Sequence, residues 1–139
     1  TFLSAEHAQR LMIGFPKGLI DELPRQDLLT WAAQDQGRRA RLLARVAAPA
    51  YEDDSSLIAD LLARFGAHEI GGTLFGVYVS GSWSGPTSLR YARIAERLET
   101  VARSSKREPL RSWAHDAAIE LRAQEERERQ REAEEDIRD

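Results

Sequence analysis

The chain has 139 residues, 42% of them apolar and 31% charged, which is enough for one domain with its own core. Its net charge of −3 excludes a strongly basic nucleic-acid footprint, and the lack of cysteine excludes a disulfide framework or a thiolate metal site. No apolar run approaches the ~20 residues of a membrane-crossing helix, and no secretory signal is visible, which fits a reducing, cytoplasmic compartment and no membrane partner. The first residue is Thr1 rather than Met, and Phe2-Leu3 already read as core, so the chain is expected to be a piece of a longer protein.

In chain order, Ser4 caps a short predicted helix over 5–13, ended by Phe15-Pro16. An apolar turn of Leu19, Ile20 and Leu23 follows, closed by Pro24. A helix is predicted over 24–35, with Leu28, Leu29 and Ala32 inward and Trp31 beside them. The next, 38–48, carries Leu42, Leu43, Val46 and Ala47 at helical spacing and stops at Pro49. Tyr51 to Asp54 is a polar link. Ser55 or Ser56 caps a helix with Leu57, Ile58, Leu61, Leu62 and Phe65 as its stripe, and Gly66 is a natural stop.

Residues 68–80 are ambiguous. Thr73 to Val79 is rich in strand formers, yet Ile70, Leu74, Val77 and Tyr78 fit one helical face. The helix is favoured, because a lone strand in a helical chain has no partner for its backbone. Gly81-Ser82-Trp83-Ser84-Gly85-Pro86 is a compact stop-and-start signal, with Pro86 expected at the first helical position. The helix over 86–103 repeats Tyr91, Ile94, Ala95, Leu98, Val101 and Ala102 at steps of three and four. After the turn Ser104 to Arg107, Glu108-Pro109 opens a last helix that buries Leu110, Trp113, Ala114, Ala117 and Leu121.

From Arg122 onward there are eight acids, five arginines and one large apolar residue, Ile137. Residues 125–139 are therefore expected to be a charged tail, a solvated helix that frays or a disordered end, adding little stability. The ordered domain is expected over 1–124. The helices fall into three hairpins of roughly 30–40 residues, a pattern of helical repeats with negligible sequence identity between them.

Leu110-Arg111 after Pro109, then Trp113-Ala114, resembles the second helix of a HEAT repeat, with Leu for the usual Val and Glu108 for the usual Asp. Gly81–Arg122 also resembles the C-terminal region of large bacterial HEAT-containing proteins, in which a Ser-Trp-Ser-Gly-Pro loop precedes two closing helices and a Glu/Arg-rich tail. Such proteins include multidomain NTPases and effectors of the antiviral-defence type. The resemblance implies an all-α fold, a short α-solenoid of antiparallel HEAT-like hairpins ending in a charged C-terminal helix. It implies a scaffold or sensor role and carries over no catalytic residue.

The chemistry-bearing motifs are incomplete. His68-Glu69-Ile70-Gly71-Gly72 opens like a zinc-protease helix but has Gly72 where the second histidine must stand. Trp83 occupies the centre of Gly81–Gly85 where a nucleophile elbow needs Ser. Gly71 to Gly76 lacks the Lys-Ser/Thr of a phosphate loop, and His7, His68 and His115 are far apart in sequence. No catalytic residue, cofactor or metal is expected.

Two features remain. Trp83 reads either as a plug closing a hairpin end or as an exposed aromatic anchor for a partner. Arg38, Arg39, Arg41 and Arg45 form the most basic run, either a solvated face or a contact for phosphate or an acidic partner. The first functional expectation is a non-enzymatic scaffold, sensor or assembly module at the C-terminus of a larger bacterial protein, touching a protein partner or its own upstream domains. The second is nucleic-acid binding through the Arg38–Arg45 face, with Arg103, Lys106 and Arg107 as further contacts. An enzyme is the third.

Overall fold

The computed structural model describes residues 24–47, 54–80 and 83–138. The helix predicted over 5–13, the apolar turn before Pro24 and the link at Tyr51 to Asp53 lie outside the described residues. Among the described residues there are six helices and no strand: α1 (Arg25–Ala33), α2 (Gln36–Ala47), α3 (Leu57–Phe65), α4 (Ala67–Val79), α5 (Thr87–Ser104) and α6 (Glu108–Arg138).

The boundaries follow local chemistry. The Pro24 carbonyl accepts from the N–H groups of Asp27 and Leu28, and the Asp35 carbonyl accepts from those of Arg38 and Arg39, so each opens a helix. Of the two candidate caps for α3 it is Ser56 that acts, its Oγ accepting from the Ala59 N–H at 3.0 Å. Gly66 ends α3 and starts α4 with φ +87°, a left-handed conformation that favours glycine. Pro86 stands one residue before α5 with ψ 135°, so it serves as the cap position and not as the first helical residue.

Residues 73–79 are helical. In α4, Ile70, Leu74 and Tyr78 point inward at steps of four, and burial of that stripe outweighs the strand preference of Thr, Phe, Val and Tyr. Gly71 lies on the same inner face. A Cβ there would meet Trp113 Cδ1 at 3.2 Å, and the Trp113 Nε1–H donates to the Gly71 carbonyl at 3.2 Å. The Trp113 ring also lies 5.6 Å from that of Tyr78. Trp113 thus belongs to the α4–α6 contact, although its helix packs mainly on α5.

The core joins all six helices. Leu28, Trp31 and Ala32 of α1 pack with Ala40, Leu43, Ala44 and Ala47 of α2 and with the apolar stripe of α3. α2 packs more extensively on α4 than on α3, and α5 with α6 is the most extensive contact of the fold. The α5–α6 seam runs through Ala95, Leu98 and Val101 against Leu110, Ala114, Ala117 and Leu121.

The charged segment from residue 125 continues as regular helix through Arg138 and packs on the fold in part. Glu125 is buried, held by Arg122 at 2.8 Å and by Arg129. Glu132 accepts from the Ser88 N–H at 3.1 Å and from the Ser88 hydroxyl at 2.7 Å. α5 has no side-chain cap of its own, so a carboxylate 44 residues away caps its first turn. Of the two expected states of this segment, frayed helix or disordered end, the structure shows helix, and the inward stripe of α6 changes chemistry at Glu125 and does not stop. Apolar Leu121 gives way to Glu125 and Glu132 on the same face.

No helix of the described residues is long and apolar enough to cross a membrane.

Candidate functional site

The arginine run lies on α2, and helical geometry divides it. Arg38, Arg41 and Arg45, at steps of three and four, share one exposed face. With Leu42 and with Thr73 of α4 they line an open groove of about 250 Å³. Arg39 lies about 100° round the helix. Its guanidinium sits 5.0 Å from the Trp31 ring centroid and donates to the Trp31 carbonyl and to Gln34 Oε1. That side chain covers the α1–α2 corner and is not part of the groove.

Within the groove the charges are unevenly matched. Arg41 pairs with Glu69 of α4 at 3.3 Å. Among the described residues, Arg38 and Arg45 have no ion-pair partner. Three guanidiniums line the groove and one of them is paired with a carboxylate, which leaves excess positive charge beside apolar Leu42. Guanidinium forks match carboxylate or phosphate oxygens two at a time.

Trp83 is 40% exposed and is neither a buried plug nor a free anchor. Its Nε1–H donates to the Pro86 carbonyl at 3.2 Å, which fixes the loop entering α5. Arg93 stacks 5.6 Å from its ring centroid. Gly85, at φ +111°, turns the chain beneath it. One face of the indole therefore holds structure while the rest meets solvent.

The further basic residues do not extend the groove. Arg107 donates to Asp60 at 2.6 Å, and the Lys106 backbone N–H donates to Asp54 at 3.0 Å. Arg103 lines a separate depression with Glu99, Ala102, His115 and Ala118.

These contacts reveal a polar junction that sequence reasoning missed. The Asp60 carboxylate of α3 takes Arg25 of α1 at 2.5 Å and Arg107 of the α5–α6 turn at 2.6 Å. Burial pushes its carboxyl up, but the hydrogen bonds from Arg107 and Arg25 outweigh that and hold it below its usual range. Asp54 accepts from the Ser105 hydroxyl and from Lys106 N–H, and both hold it low. Three elements distant in sequence are thus tied by two carboxylates. No local signal marks this, since the partners lie 35 and 47 residues from Asp60.

Among the described residues no three His, Cys, Asp or Glu side chains gather as metal ligands. His68 and His115 are both exposed, on α4 and α6, and His7 lies outside the described residues. Comparison with protein-family models, curated proteins and solved structures found no match.

Proposed function

We propose that this chain is a non-enzymatic binding module that takes an acidic segment of a protein partner along the Arg38–Arg41–Arg45 groove. One observation carries the reading: three guanidiniums line a single groove in which Glu69 is the one carboxylate paired with them among the described residues. A carboxylate-bearing segment would satisfy Arg38 and Arg45, and Leu42 would take an apolar side chain between the charges. Trp83, half-exposed at the entry to α5, is a second contact point of the type favoured in interfaces.

In this reading α1–α2, α3–α4 and α5–α6 are successive HEAT-like hairpins of a short stack. The packing of α2 on α4, and of both α3 and α4 on α6, supports it. The module would serve as a scaffold, sensor or assembly piece acting by protein–protein contact.

Nucleic acid is the second reading, since the same three guanidiniums would also suit phosphates. The net charge of −3 and the carboxylate of Glu69 beside Arg41 weigh toward a protein partner. The test is a titration of a labelled glutamate-rich peptide, and separately of a labelled DNA duplex and a labelled RNA, at about 0.1 M salt. The peptide should bind, and Arg38→Glu with Arg45→Glu should abolish its binding. Tight binding of duplex or RNA through the same arginines, with none of the peptide, would overturn the reading.

A further inference from the structure

We infer that the acidic segment received by the groove is the distal end of α6 from a second copy of this chain, so that the molecule self-associates head to tail. The inference rests on the acidic-segment reading of the groove and names its occupant.

The two surfaces are complementary in charge and in apolar content. α6 is ~46 Å long and α5 only ~27 Å. Glu132, bonded to Ser88 in the first turn of α5, is the most distal α6 residue tied to α5 by a hydrogen bond among the described residues. Beyond it Glu134, Glu135 and Asp136 are all exposed, Glu135 being paired with Arg131 at 2.8 Å. Ile137 is 84% exposed, the highest of the large apolar side chains among the described residues. From Glu132 to Asp139 the sequence holds five acids and one arginine, a local charge of −4.

The groove offers the converse: Arg38, Arg41 and Arg45 beside Leu42 and Thr73, with Glu69 the only opposing carboxylate paired with them among the described residues. Glu134, three residues from Ile137 and on the same helix face, would meet the guanidiniums, and Ile137 would cover Leu42. Each partner surface lies on a different part of the same chain, so the contact is heterologous. One chain's α6 end enters the next chain's groove, and repetition gives rings or open chains. An association of this kind, resting on exposed charge pairs, weakens with added salt.

A charge-swap experiment tests it on the full chain, by analytical ultracentrifugation over a concentration series, with circular dichroism confirming that each variant folds. The wild-type chain should sediment faster as concentration rises, and the shift should be lost at about 1 M salt, where the screening length is ~3 Å. Arg38→Glu with Arg45→Glu should remain monomeric, as should Glu134→Lys with Asp136→Lys. An equal mixture of the two variants should associate again, because each reversed surface then meets its complement. A wild-type chain that stays monomeric while the glutamate-rich peptide still binds its groove would overturn this inference and leave the binding reading standing. A wild-type chain that neither self-associates nor binds the peptide would overturn both. Self-association that survives both charge reversals would place the interface elsewhere and overturn the inference.

Discussion

Asp60 accepts hydrogen bonds from two arginines brought from 35 residues before it and 47 after it, so one carboxylate holds together α1, α3 and the turn before α6. Removing it leaves Arg25 and Arg107 without their shared anion. Asp60→Ala should cost about 1–2 kcal/mol in chemical denaturation, at the lower end for charged hydrogen bonds because the carboxylate keeps a quarter of its surface in water. The pH dependence has a fixed sign. Asp60, Asp54 and Glu99 all titrate below their ordinary values when folded, Glu99 because Arg122 grips it with two hydrogen bonds. The stability they supply is present above the unfolded carboxylate range. It is lost as pH falls below about 4 through the lowered folded values. Thermal melts from pH 7 to pH 2 should fall most steeply in that acid window. Asp60→Asn should flatten the fall, and an unchanged profile would show that the junction contributes nothing.

The glycines of α4 give a sharper residue-scale contrast. Gly71 faces Trp113 so closely that a methyl group must displace the ring, whereas Gly72 and Gly76 have open space where a Cβ would go. Gly72→Ala and Gly76→Ala should each stabilise the fold by up to ~1 kcal/mol through helix propensity alone. Gly71→Ala should destabilise despite the same propensity gain. Equal effects at all three positions would refute the close α4–α6 approach.

At the scale of elements, the helices whose apolar residues recur at three and four were legible in the sequence. α5 and the first half of α6 are the clearest, with Leu98 fully buried in the seam as its spacing required. Leu98→Ala should cost on the order of 2–5 kcal/mol, as measured by denaturant unfolding. α4 was legible through the helical spacing of Ile70, Leu74, Val77 and Tyr78 together with an argument about missing strand partners, against the strand preference of Thr73 to Val79. The distal half of α6 was legible as a charged helix, but its tie to α5 was not, because apolar periodicity is blind to a seam made of carboxylates. The Glu132 contact to Ser88 depends on where α5 lies, whereas Arg122 and Arg129 hold Glu125 within α6 itself. Truncation after Gln124 should therefore lower the melting temperature clearly, and Glu132→Ala should reproduce part of the drop by uncapping α5. A truncated chain that melts with the full one would restore the reading of this segment as a solvated appendage.

For the whole molecule, the candidate site was half legible. The spacing of Arg38, Arg41 and Arg45 foretold one face, and the same helical geometry removed Arg39 to its contact with Trp31. The rest of the site lies across the chain. Thr73 lines the groove from α4 and Glu69 of α4 pairs with Arg41, and only the packing of α2 on α4 brings them there. Trp83 shows the limit of reading an aromatic in a loop. Its hydrogen bond to Pro86 and its stacking on Arg93 make it part of the scaffold, while its exposure leaves it able to touch a partner.

The central claim is that an acidic protein segment binds along α2. The most direct measurement is a backbone amide NMR titration of the chain with the glutamate-rich peptide. Saturable shifts should cluster at residues 38–45 and around Glu69 and Thr73, and they should vanish in the Arg38→Glu, Arg45→Glu variant. Shifts confined to other surfaces, or no saturable shift at all, would contradict the account.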